Sequence, residues 1–230
     1  MTKLYVNGDS YTQGLYIEPE ERYANLIAKE FNWNLFNEAH YSKSNYGIYR
    51  QTIEYVLRHL GEEDMFVCVG FSHNFRQEVF YNSAYYSVHK DVYRIQTTDA
   101  SHDLTSADEY GFKQYCKYLT FVESYDHSLL KTLDHFMMLS LFLESHNVPY
   151  ILHNTTKPIH HSMMTRKIED ELDKNPKIVN LHNNTYEELC TVKGFIPFDY
   201  DLYGVTGHQG PEGNYAYYEF LSKKIHELYD

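Results

Sequence analysis

The chain predicts an α/β fold, a three-layer α/β/α sandwich with a parallel central sheet, and three observations carry that expectation. Short apolar runs of strand length alternate with segments of helical periodicity, the order that builds a parallel sheet covered on both faces. Met65–Val69, closed by Gly70, is apolar at every position, as a central strand buried on both faces must be. The 230 residues fit a single domain spanning 1–230, with no linker or repeat to divide it.

Each element has its own signal. The first strand is expected at Leu4–Asn7. Tyr23, Leu26, Ile27 and Phe31 then recur on one face of a helix, with Pro19 near its start. A short strand at Asn34–Asn37 leads to a turn at Ser44-Asn45, where Asn45 is a natural cap for the helix that follows. Within 46–60, Tyr49, Ile53, Val56 and Leu60 repeat at helical spacing, and Gly61 supplies the stop. Leu129, Leu133, Phe136, Met137, Ser140 and Leu143 place the longest helix over 126–147, ended by Asn147 and Pro149. Val148–Leu152 and Ile178–Leu181 read as further strands. After Pro211, the stripe of Tyr217, Phe220, Leu221, Ile225 and Leu228 marks a closing amphipathic helix.

The tract 77–125 breaks this regularity. It is longer than a compact connection needs, shows no clear periodicity and holds a crowd of the chain's 24 tyrosines, among them Tyr81, Tyr85, Tyr86, Tyr115 and Tyr118. Three readings stand: an insertion packed onto the domain by amphipathic aromatics, a lid over a binding crevice, or the contact surface of a homo-oligomer.

Composition narrows the partners. A formal charge of -12, with Lys and Arg scattered, argues against binding nucleic acid. No apolar run is long enough to span a bilayer, and the N-terminus enters a strand without the pattern of a signal peptide. Cys68, Cys116 and Cys190 are odd in number and far apart, which suits a reducing compartment, so a cytoplasmic location is expected. His153, His160 and His161 lack the spacing of a metal site, and Gly8 and Gly14 do not make a phosphate cradle; neither a metal nor a cofactor is expected.

The chemistry gathers at the two ends. The first strand runs straight into Gly8-Asp9-Ser10, so Ser10 stands at the carboxyl end of a leading strand, where open α/β sheets place ligands. A nucleophilic serine needs a histidine to take its proton, and His208 lies in a Gly-flanked segment just before the terminal helix. The plain reading of Asp9-Ser10 is a helix cap, and Arg76 has an equally plain one, an ion pair with one of the chain's carboxylates.

These segments, with Ser44-Asn45-Tyr46-Gly47-Ile48-Tyr49-Arg50 and Val69 to Arg76, resemble the SGNH (GDSL-like) hydrolases, and an often phage-encoded branch of them in particular. The resemblance implies a flavodoxin-like sandwich and a serine hydrolase that cleaves an ester without a cofactor, with a short O-acyl group on a carbohydrate as the expected substrate. It implies Ser10, His208 and Asp9 as catalytic residues, and Ser44, Asn45, Gly70, Ser72 and Arg76 on the oxyanion and substrate side. The family's third segment supplies an oxyanion asparagine in Gly-x-Asn; here that position is Ser72. The family also sets an aspartate shortly before its histidine; here Val205 and Thr206 occupy the nearest positions, and Asp199, Asp201 and Glu212 are the nearest acids. A catalytically silent scaffold of this fold, used for binding or assembly, is the competing expectation.

Overall fold

The computed structural model describes residues 1–61, 64–74, 76–81, 84–89, 94–97, 110–116, 118, 124–156, 159, 163–192 and 210–229. Along them the strands are β1 (Lys3–Asn7), β2 (Asn34–Asn37), β3 (Met65–Phe71), β4 (Arg76–Tyr81), β5 (Ala84–His89), β6 (Arg94–Thr97), β7 (Tyr150–Asn154) and β8 (Ile178–Val179). The helices are α1 (Ser10–Gln13), α2 (Tyr23–Glu30), α3 (Asn45–His59), α4 (Tyr125–Ser145), α5 (Arg166–Leu172), α6 (Tyr186–Val192) and α7 (Pro211–Tyr229).

A five-stranded sheet in the order β2-β1-β3-β7-β8, parallel throughout, forms the centre. The two-residue period of a strand sorts its side chains between two cores. Tyr5, Val67, Val69, Phe71 and Leu152 face the layer of α3 and α4, where Val56, Leu133, Phe136 and Leu139 are buried. Leu4, Val6, Phe66, Cys68 and Ile151 face the layer of α2 and α7, with Ile27, Tyr217, Leu221 and Ile225. The expected three-layer sandwich is therefore present.

Boundaries shift where the backbone dictates. Strand β7 begins after Pro149 rather than at Val148, because proline has no N–H for a ladder; Pro149 contributes only its carbonyl, to Val67 N at 2.9 Å. Strand β8 stops at Val179 because Asn180 turns left-handed, at φ 53. Helix α2 starts only at Tyr23, since Pro19–Glu21 forms a separate 3-10 turn and Arg22 is extended.

The stretch after β3 has more order than its composition announces. Strands β4, β5 and β6 form an antiparallel sheet of their own, and residues 110–116 are helical. Val79 pairs with Tyr86, both are buried, and the Tyr86 ring packs 4.8 Å from that of Phe112. Among the described residues no helix is long and apolar enough to cross a membrane.

Candidate active site

Strand β1 ends at the fully buried Asn7, whose side chain holds the turn that follows. Its Oδ1 accepts from Gly8 N and from Lys43 Nζ, both at 2.8 Å, while Nδ2 donates to Tyr5 Oη, Ile48 O and Thr52 Oγ1, each at 3.1 Å. Burial pulls the Lys43 ammonium down to about 8.

Two glycines let the next helix sit close. A Cβ on Gly8 would lie 2.8 Å from Gly70 O and overlap the Thr12 side chain. A Cβ on Gly70 would overlap the same Thr12 and stand 2.7 Å from both His153 Cε1 and Thr155 Cγ2. Helix α1 is thus seated through Thr12 directly over the ends of β1 and β3, and Ser10 is its first residue.

Asp9 fixes the direction of that helix. Its backbone is extended, and its carboxylate accepts from Tyr11 N at 3.1 Å, so it is the N-cap. The same carboxylate, fully buried, accepts at Oδ2 from Ser72 Oγ at 2.5 Å and from Arg76 Nη1 at 2.9 Å. Arg76 Nη1 also donates to Ser72 Oγ at 2.8 Å and to Lys43 O at 3.4 Å. Both plain readings from the sequence hold: Asp9 caps, and Arg76 pairs with a carboxylate. Asp9, next to Ser10 in the chain, is thus bonded on both of its carboxylate oxygens.

The cap of the helix that follows falls one residue earlier than the expected Asn45. The cap of α3 is Ser44, whose Oγ accepts from Gly47 N at 3.1 Å, and Asn45 is the first helical residue. Asn45 donates from Nδ2 to Ser72 O and to Thr132 Oγ1, both at 3.0 Å, and accepts from Ser72 N at 2.7 Å. Both amide hydrogens of Asn45 are committed within the fold, so this side chain holds residue 72 in place.

His208, Asp199, Asp201, Val205 and Thr206 lie outside the described residues. The chain is described again from residue 210. Helix α7 begins at Pro211, and Asn214 in its first turn accepts from Tyr23 N at 3.2 Å and donates to Tyr186 Oη at 2.6 Å. The Tyr186 ring meets that of Tyr11, the residue after Ser10, edge-on at 5.6 Å. Deeper on this face, Tyr217 Oη lies 2.8 Å from His153 Nδ1, and burial drives the His153 imidazole down to about 3, so it is neutral. Among the described residues no group of three His, Cys, Asp or Glu side chains is placed to hold a metal ion.

Sequence reasoning passed over Asn7, Thr12, Lys43 and Thr132. A polar residue ending an apolar strand was a usable sign for Asn7; the others meet the site through contacts distant in sequence.

No family model matches the chain, and no curated protein matches it. Solved structures do match over nearly its whole length. The psychrotrophic esterase EstA from Pseudoalteromonas sp. superposes with a TM-score of 0.51 at 11% identity, covering 98% of this chain and 97% of that one. A member of the lipolytic protein G-D-S-L family from Veillonella parvula DSM 2008 gives 0.50 at 10% identity, over 100% of this chain and 98% of that one. A carbohydrate esterase family 2 enzyme with a carbohydrate binding domain, from Corynascus thermopiles (Myceliophthora fergusii), gives 0.50 at 11% identity, over 98% of this chain and 66% of that one. At such identities the likeness is one of fold: the chain has the three-layer α/β/α fold of the G-D-S-L, or SGNH, lipolytic proteins and esterases.

Proposed function

We propose that the chain is a serine hydrolase that cleaves an ester, a short O-acyl group on a carbohydrate, through Ser10 and His208. The observation that supports it most is the Tyr186 bridge, which touches Tyr11 on one side and Asn214 on the other. The start of α7, three residues past His208, is thereby tied to the residue next to the nucleophile.

In this reading Ser10 Oγ attacks the ester carbonyl while His208 takes its proton. The carbonyl π pair moves onto oxygen, where the Ser10 backbone N–H meets the developing charge. Collapse expels the alcohol, protonated by His208, and water then releases the acid by the reverse sequence. Arg76 neutralises the Asp9 carboxylate, which would otherwise oppose negative charge at this spot. The carbohydrate esterase among the solved structures favours a sugar ester as substrate.

Hydrolysis of a short-chain aryl ester tests the proposal. Ser10→Ala abolishes it and His208→Ala reduces it by several powers of ten. Equal slow rates in wild type and Ser10→Ala would leave the silent scaffold as the better reading, which Ser72 and Val205, at positions where an asparagine and an acid were expected, already favour.

A further inference from the structure

We propose that Lys43 is a positioning residue for the reaction: its buried ammonium ties the end of β1 to the end of β2 and so sets the turn that delivers Ser10. The inference rests on the serine-hydrolase reading and adds to it a residue that works through Asn7 without touching substrate.

Every link between the ammonium and the turn is a hydrogen bond. Lys43 Nζ donates to Asn7 Oδ1 at 2.8 Å and to Glu38 O at 2.5 Å. Asn7 Oδ1 also accepts from Gly8 N at 2.8 Å, and Gly8-Asp9-Ser10 follows directly in the chain. Glu38 N donates to Val6 O at 2.8 Å and His40 N to Gly8 O at 3.1 Å, so the segment leaving β2 is laced to the segment leaving β1, with Lys43 across the join. The Lys43 carbonyl accepts from Arg76 Nη1 at 3.4 Å, the atom that also bonds Asp9 Oδ2.

A buried cation is a costly way to make such a tie. Lys43 is 2% exposed, its two acceptors are neutral oxygens, and among the described residues no carboxylate forms an ion pair with it. Burial therefore pulls its value from 10.5 to about 8, while the unfolded chain keeps the ordinary one. The unfolded chain binds the proton more readily, so the charge lowers the stability of the fold below pH 8, and the fold regains that stability as pH rises from about 8 toward 10.5. A methionine would fill the space without this burden. What the charge adds is grip, since a protonated donor holds an oxygen roughly twice as strongly as a neutral one. A charge kept against the stability of the fold, one hydrogen bond from the turn that carries Ser10, is what a residue retained for activity looks like.

The groups around the ammonium do not duplicate its titration. They are Tyr5 of β1, Glu38 beyond β2, Arg50 of α3 and Glu78 of β4, with Arg76 at the Lys43 carbonyl. Burial and the neighbouring Glu38 carboxylate hold Tyr5 well above its ordinary value. Burial lowers Arg50, but the Glu78 carboxylate outweighs it and leaves the guanidinium above its ordinary value. Burial raises the Glu78 carboxyl, and Arg50 opposes that rise.

The experiment follows kcat and KM on an aryl acetate from about pH 6 to about pH 9.5, and urea unfolding over the same range, for wild type, Lys43→Met, Lys43→Gln and Ser10→Ala. At pH 7 Lys43→Met lowers kcat by about 10- to 100-fold with KM nearly constant, yet resists urea as well as wild type or better. Wild-type kcat falls as pH rises through about 8 while resistance to urea rises, and Lys43→Met loses both trends. Turnover in Lys43→Met within about threefold of wild type, in an enzyme that Ser10→Ala silences, would overturn the assignment. So would a wild-type kcat with no alkaline fall, or a loss of stability matching the loss of kcat in both Lys43 variants, the mark of a lysine that only holds the fold. If wild type itself shows no Ser10-dependent turnover, the serine-hydrolase reading fails first and this assignment falls with it.

Discussion

Arg76, the first residue of β4, places Nη1 2.9 Å from Asp9 Oδ2, so β4 is bonded to the cap of the helix that begins at Ser10. The two side chains are 9% and 0% exposed, and breaking a buried pair strands a charge. Arg76→Met should cost about 3–5 kcal/mol in urea unfolding. The double variant Asp9→Asn with Arg76→Met should recover much of that, since it leaves no isolated charge. Equal stability for Arg76→Met and wild type would mean that the pair does not anchor the site.

Gly70 tolerates no side chain where α1 sits over β3. Gly70→Ala forces its methyl against Thr12, His153 and Thr155, a small overpacking of about 1–3 kcal/mol. Because Thr12 belongs to the same turn of helix as Ser10, turnover should suffer more than the thermal midpoint does. An alanine variant with full turnover would show that α1 can shift without consequence.

His153 gives the protein a defined acid weakness. Burial holds its folded value at about 3, below the ordinary 6.5, so the unfolded chain binds the proton more readily. The stability linked to this group is complete above pH 6.5 and is lost as pH falls toward 3. Between pH 7 and 5 the loss is about 2 kcal/mol. Denaturant titrations of wild type and His153→Gln should differ by that amount in their pH dependence; parallel curves would contradict the assignment.

Strong one-dimensional patterns made the sheet and the long helices legible. The unbroken run of β3 and the stripe of α4 each pointed to one structure, and each is found within a few residues of its expected bounds. The cap of α3 was misplaced by one position because Ser44 and Asn45 are both good capping residues, and only the extended backbone of Ser44 decides between them. The insertion sheet was missed because Tyr81, Tyr85 and Tyr86 suit a strand, a packed loop and an exposed face alike. Nothing local announces that Arg76 meets Asp9, 67 residues away, or that Asn45 meets Thr132, 87 away.

Glu78 latches the insertion at a second point. It lies two residues beyond Arg76, on the same face of β4, and its carboxylate, 1% exposed, pairs with Arg50 at 3.2 Å. Glu78→Ala should therefore loosen β4 from α3 and speed limited proteolysis within 77–125 relative to the central domain. Unchanged cleavage would show that Val79 and Tyr86 hold the insertion unaided.

Covalent capture of Ser10 tests the central claim most directly. A fluorophosphonate transfers its phosphonyl group, with loss of fluoride, to a serine activated by a base and held at an oxyanion site. Intact-mass spectrometry should show one adduct on wild type, peptide mapping should place it on Ser10, and Ser10→Ala should take up none. A wild-type protein that stays unlabelled under conditions that label a known serine esterase, or an adduct that survives in Ser10→Ala, would contradict Ser10 as the nucleophile.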